Sequence, residues 1–392
     1  MESFYRTHEY LLQHLNLPLR RRLMDAIDGN KRLICVRGSR GVGKTNFLLQ
    51  YAKENFAPDD RRCLYINLNN FYFTVETIQN FAQEFRMRGG KVLLIDQIFK
   101  YPNWASELAY CYEHYHDLKI IFSASSVINI EDAKYNLQGK VTTYTIRGFS
   151  FREFLELQTG RSFKSYLLDD LLKHHVEIAK EITAKVQPLN YLDDYFHHGF
   201  YPFYLEKHNF SENLLKTMNM MLEIDVLSIH QIEQSYLPKL RKLLYLLSLS
   251  TAENPNITQL SIDIETSRAT VMNYLKYLED ARLINLLYHE SEEFPKKPDK
   301  LYLHNPNLLY ATRMVHVERQ SLLETFFYNQ VHKDYKVNQG AKNSQFLINS
   351  QYHFNVGARI KGRFNPDVYY AIDGIEIGEG NVIPLWLFGF LY

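Results

Sequence analysis

The chain has 392 residues, 46% of them hydrophobic and 23% charged, and a net charge of +1. That length calls for more than one core, and the composition excludes a disordered polyelectrolyte. The near-zero charge excludes a whole-molecule field drawing the protein onto nucleic acid or a membrane, so any such contact needs a local patch.

The N-terminal residues carry no apolar signal region, and no apolar run approaches membrane-spanning length. Cys35, Cys63 and Cys111 lack metal-ligand spacing and read as buried reduced thiols, which places the expected location in the cytoplasm. Tyr10, Leu11, Leu12 and Leu15 recur at helix spacing. Arg20, Arg21 and Arg22 follow Pro18 and read as a solvated face rather than phosphate contacts.

Arg32 to Val36 then read as a short buried strand, followed by Gly38-Ser39-Arg40-Gly41-Val42-Gly43-Lys44-Thr45 and a helix opened by Phe47, Leu48 and Leu49. This fits G-x-x-x-x-G-K-[ST], the loop that binds a nucleoside triphosphate, whereas the dinucleotide spacing G-x-G-x-x-G is not met. The glycines let backbone N–H groups curl around a phosphate, and the helix start adds its positive dipole end. Lys44 reaches the β- and γ-phosphates, and the Thr45 hydroxyl is a ligand for Mg²⁺.

Residues 62–68 read as a second strand, and Ile78, Phe81 and Phe85 line one face of a helix over 75–85. Lys91 to Asp96 is an apolar strand closing on an acid, the form in which a carboxylate holds Mg²⁺, usually through water. The next residue is Gln97, whose amide can orient water but cannot take up a proton. Loss of a general base costs on the order of 10²–10⁴ in rate. Binding by Lys44, Thr45 and Asp96 is predicted to survive and turnover to be weak.

A helix opens at Trp104, residues 119–123 form another strand, and Ser123-Ala-Ser-Ser126 ends it. Ser125 reads either as a hydroxyl sensing the γ-phosphate or as part of a plain serine turn. After a further strand at 142–147, strands alternating with helices imply an α/β fold with a parallel sheet covered on both faces, ending near residue 155.

Together, the loop, Leu93-Leu-Ile-Asp96, Tyr101-Pro-Asn-Trp104, Ser123-Ala-Ser-Ser126 and Phe149-Ser-Phe-Arg-Glu-Phe154 resemble the prokaryotic AAA-like ATPases that carry a C-terminal domain of uncharacterised function, abundant in Bacteroidetes and archaea. The likeness continues through His198-Gly-Phe-Tyr-Pro-Phe203 to the closing Ile383-Pro-Leu-Trp-Leu-Phe-Gly-Phe-Leu-Tyr392, itself expected to be a packed terminal strand. The resemblance implies ATP and Mg²⁺ as cofactors and a chain able to oligomerise. Relatives usually have Glu where Gln97 stands, acids at Asn69 and Asn70, and an Arg at Lys140. If that Arg acts on a neighbour's γ-phosphate, Lys140 keeps the charge but loses the planar grip.

Four domains are expected. Residues 1–155 form the ATP-binding P-loop domain, and 156–232 a helical lid with His197 and His198 beside Asp193 and Asp194. Residues 233–304 read as a winged helix, with helices at 256–264 and 268–278 and a wing over 283–303 bearing Lys296, Lys297 and Lys300. Its partner is DNA, through Arg268, Thr270, Asn273 and Lys276, or a protein. Residues 305–392 resemble a restriction-nuclease-like domain with Asn355 where relatives have an acid. Asp367, Asp373 and Glu376 fall outside the required spacing, so a platform is expected rather than a nuclease.

Overall fold

The computed structural model describes residues 1–206, 209–249, 254–312, 317–341, 343–360 and 364–392. Its contacts divide the chain into two units, Met1–Gly148 and Phe149–Tyr392.

The first unit runs α1 (Glu2–His14), β1 (Leu33–Gly38), α2 (Lys44–Asn55), β2 (Cys63–Asn67), α3 (Ile78–Met87), β3 (Val92–Asp96), α4 (Trp104–His114), β4 (Lys119–Ser125) and β5 (Thr142–Thr145). The strands form one sheet in the order β2-β3-β4-β1-β5, and every pairing is parallel. All five residues of β3 are buried, which is why it reads as an unbroken apolar run rather than an alternating one. Each helix buries one stripe: Ile78, Phe81, Ala82 and Phe85 on α3, and Phe47, Leu48, Leu49 and Ala52 on α2. The α3 start is fixed twice, by the Thr77 side chain accepting from Asn80 N and by the buried Glu107 carboxylate accepting from Ile78 N at 2.7 Å.

The second unit continues with α5 (Phe151–Thr159), α6 (Leu168–Thr183), α7 (Leu189–Asp194), α8 (Phe210–Met220), α9 (Leu227–His230), α10 (Leu237–Leu249), α11 (Ile257–Asp263) and α12 (Arg268–Asp280). An antiparallel pair follows, β6 (Ile284–Leu287) and β7 (Lys300–Leu303). Then come α13 (Pro306–Thr312), α14 (Arg319–Val331) and strands β8 (Val337–Gln339), β9 (Phe346–Ile348), β10 (Tyr352–Gly357), β11 (Tyr369–Ile372) and β12 (Val382–Pro384). These last five make a mixed sheet, antiparallel from β8 to β10 and parallel from β10 to β12. Helix α14 is buried at every position from Ser321 to Val331, so it is the axial element of this α+β region rather than an amphipathic surface helix.

The dividing point at Gly148 lies a few residues before the expected 155. A capping box at Ser150 and Glu153 starts α5, and the Phe151 ring packs on Tyr195 and Phe326 of the second unit. The chain end also differs from expectation. Only Val382–Pro384 is a strand, and Leu385–Phe390 winds into a 3₁₀-helix with every residue buried. Trp386, Phe388 and Phe390 are all fully enclosed, which a strand with one solvated face could not provide.

Helix α1 is held to β2 by His8, whose Nδ1 accepts from Tyr65 N at 3.1 Å. Burial depresses this imidazole from its ordinary 6.5 to about 4, because the charged form would lose its hydration. The unfolded chain therefore binds the proton first, and stability present above pH 6.5 is lost as pH falls toward 4. The expected loss is about 3 kcal/mol across that window. Chemical denaturation of the protein at pH 7 and pH 4 should show it, and His8→Asn should remove that part of the slope.

Candidate nucleotide and metal site

Strand β1 delivers the loop. A Cβ on Gly38 would lie 2.5 Å from the Ile146 carbonyl oxygen, so only glycine lets the strand tip lie against the chain beyond β5. Gly41 and Gly43 take φ of 83° and 92°, the left-handed region that glycine enters without strain. Gly43 is also the N-cap of α2, so the helix start and its positive dipole end face the loop. Val42 is fully buried beneath the turn, and Ser39 nearly so. Lys44 Nζ is folded back onto the loop, donating to the carbonyls of Gly38 and Ser39 at 2.9 and 2.7 Å. The Arg40 guanidinium stands 5.8 Å from the centre of the Phe99 ring.

Asp96, 1% exposed, closes β3 beneath this loop. Its Oδ2 accepts from Thr45 Oγ1 at 2.7 Å and from the Tyr65 hydroxyl at 2.8 Å. Its Oδ1 accepts from the Ser123 hydroxyl and from Gln97 N at 3.0 Å. Burial and the adjacent Asp96 charge push the Tyr65 phenol well above its ordinary range, so it stays a donor. The donor set fits Mg²⁺: a hydroxyl and a carboxylate are hard oxygen ligands. Thr45, by giving its proton to Asp96, keeps its oxygen lone pairs for a cation.

Gln97 follows Asp96 with φ 57°, a left-handed backbone at a non-glycine residue. Its N–H is shared between Asp96 Oδ1 and Ser123 Oγ. Ser125 pairs in register with Gly38 across β4 and β1, beside the loop, and its hydroxyl accepts weakly from Val127 N at 3.4 Å. The serine that reaches Asp96 is Ser123. Lys140 is not gathered at the loop of its own chain. It precedes β5, whose Thr142 pairs with Ile34 near the start of β1, at the sheet end opposite the phosphate loop. There it pairs with Glu113 at 2.6 Å and holds that carboxylate below its usual range.

Two side chains that bond to Asp96, Tyr65 and Ser123, are not singled out by the sequence reading. Their only signal is a polar atom in an otherwise apolar strand.

Elsewhere, the acids and histidines do not converge. Among the described residues no group of three such side chains is placed to hold a metal. His197 stacks on Tyr310 and His198 on Tyr204, while Asp193 pairs with Arg319. Asn355 accepts from Gln345 N and donates to Asn343 O, both at 3.0 Å. Asp373 is paired with Arg319 at 2.8 Å, and Asp367 and Glu376 are exposed. Arg20 pairs with Asp25 and Glu54, and Arg21 donates to the Arg147 carbonyl. The three cysteines are buried free thiols, with burial pushing Cys35 up to about 12.

Residues 30–155 match the family model described as an AAA domain. Residues 189–319 match a domain of unknown function, DUF8612. The uncharacterised protein MJ1637 of Methanocaldococcus jannaschii is 26% identical over 273 residues, 66% of this chain and 57% of that protein. The chain thus spans little more than half of that relative. Similar solved structures include a RuvB variant of Thermotoga maritima, 14% identical with a TM-score of 0.27 over 73% of this chain and 89% of that one. AMPPCP-bound DnaA from Aquifex aeolicus is 15% identical with a TM-score of 0.26, over 70% and 87%.

The close approach at Gly38 makes a direct test. Gly38→Ala should lower unfolding free energy by about 1–3 kcal/mol, the usual range for overpacking, and a thermal melt of the two proteins side by side reads it.

Proposed function

We propose that the first unit binds ATP with Mg²⁺ as a nucleotide-controlled switch and hydrolyses it slowly. The observation that carries this reading is the Thr45 Oγ1 to Asp96 Oδ2 hydrogen bond of 2.7 Å beside the loop that holds Lys44. The loop amides and Lys44 would bind the phosphates, and Thr45 and Asp96 would hold Mg²⁺, which neutralises phosphate charge when bound. Gln97 stands where a carboxylate would deprotonate the attacking water, and an amide can only orient it. Lys140, already paired with Glu113, lends little support to a finger reaching a neighbouring subunit's nucleotide.

For α10, α11, α12 and the β6–β7 pair we favour a winged helix that contacts protein. Lys276 is neutralised by Glu279 and Asp280 at 3.0 and 3.1 Å, and Lys296 by Glu292 at 2.7 Å. Those pairs reduce the charge on offer to phosphates. The C-terminal sheet, with Asn355 spent on internal hydrogen bonds, suits a platform better than a nuclease.

Lys44→Ala should abolish ATP binding measured by calorimetry, and Gln97→Glu should raise steady-state phosphate release by on the order of 10²-fold or more. A typical ATPase rate in the unaltered chain, unmoved by Gln97→Glu, would refute the general-base argument. Duplex DNA titrated by fluorescence anisotropy at physiological salt should show no binding. Tight binding that weakens steeply with salt and on removal of Lys296, Lys297 and Lys300 would favour the DNA reading instead.

A further inference from the structure

We propose that the Tyr65 hydroxyl sets how much Mg²⁺ the site requires, by occupying the acceptor position on Asp96 that a metal-bound water would otherwise take. The inference rests on the nucleotide reading above and names a regulator of that same site.

A carboxylate oxygen has two in-plane lone-pair positions. On Asp96 both oxygens are filled: Oδ2 by Thr45 and Tyr65, Oδ1 by Ser123 and Gln97 N. A water on the cation that hydrogen-bonds to Asp96 must therefore displace a donor. Gln97 N is backbone and cannot rotate away. Ser123 sits on the oxygen turned from Thr45. Thr45 needs its bond to Asp96, because donating that proton is what turns its lone pairs outward. Tyr65 remains. Its phenol shares Oδ2 with Thr45, the residue that would hold the cation.

Tyr65 is well placed to persist as a competitor. It is 5% exposed, and its own backbone N–H is tied to His8 of α1, so the main chain that carries it is held in place. Its removal would leave Asp96 anchored through Ser123, Gln97 N and Thr45. Tyr65 is thus a positioning residue with a cost: it orders the carboxylate and at the same time lowers its availability.

The test is a titration of a fluorescent ATP analogue at graded Mg²⁺ and in EDTA, for the unaltered chain, Tyr65→Phe and Ser123→Ala. In Tyr65→Phe the half-saturating Mg²⁺ concentration should fall by about threefold to tenfold, the net worth of one typical hydrogen bond, with affinity in EDTA unchanged within about twofold. Ser123→Ala, which frees only the far oxygen and loosens the carboxylate, should raise the Mg²⁺ requirement. An unchanged or raised requirement in Tyr65→Phe, or an equal fall in Ser123→Ala, overturns the role given to Tyr65. If the unaltered chain binds no ATP at any Mg²⁺ concentration, the nucleotide reading falls and this inference with it. ATP binding with an unmoved Mg²⁺ requirement removes Tyr65 alone.

Discussion

The hydrogen bond from Thr45 to Asp96 joins two pieces of chain 51 residues apart, and the organisation of the first unit turns on it. Thr45 opens α2 behind the loop, whereas Asp96 ends β3. In the sheet order β2-β3-β4-β1-β5 these strands are not neighbours, since β4 lies between β3 and β1. Between them β4 carries a small polar residue at the depth of Asp96. Ser123 fills that role, bridging to Asp96 and taking a share of the Gln97 N–H. A bulky apolar residue there would leave Asp96 Oδ1 short of a donor inside the protein, a costly state for a buried charge.

How far the site could be read in advance followed the range of the interactions. The loop was legible because its geometry is local: glycine at two left-handed positions, a lysine that folds onto its own turn, and a helix start. Asp96 was legible because an apolar run closing on an acid is itself a local pattern. The sequence singles out Ser125 on β4 as a γ-phosphate sensor or a serine turn, two residues from Ser123. Period two puts both on the same face of the strand, and depth along it decides that Ser123 is the one bonded to Asp96. Depth is set by the parallel register of β3 and β4, which only the folded sheet supplies. Tyr65 was invisible for the same reason, lying on a third strand. In the fold, the alternation of apolar strands and helices marked the parallel sheet, whereas the apolar tail read as a strand because run length carries no account of which faces are enclosed.

The second unit follows a different logic. Its axial helix α14 carries Glu324, Asn329 and Gln330 into the interior, and each is satisfied there. The Glu324 carboxylate accepts from Tyr302, Gln320 and Gln345 at 2.7 to 3.0 Å, and Asn329 and Gln330 bond to the His304 carbonyl and the Tyr195 hydroxyl. Polar groups so fully engaged act as internal fasteners rather than as reagents.

The placement of the rarest side chains gives each unit its own intrinsic signal. All three cysteines of the chain, Cys35, Cys63 and Cys111, lie buried in the first unit. The two tryptophans divide evenly, Trp104 in the first unit and Trp386 in the second, both buried. Thiol reagents therefore see opening of the first unit alone, whatever the other does. The two indoles, told apart by replacing one, follow each unit without any added dye. Local breathing of the sheet and loosening of the α14 core can be timed separately in a single intact chain.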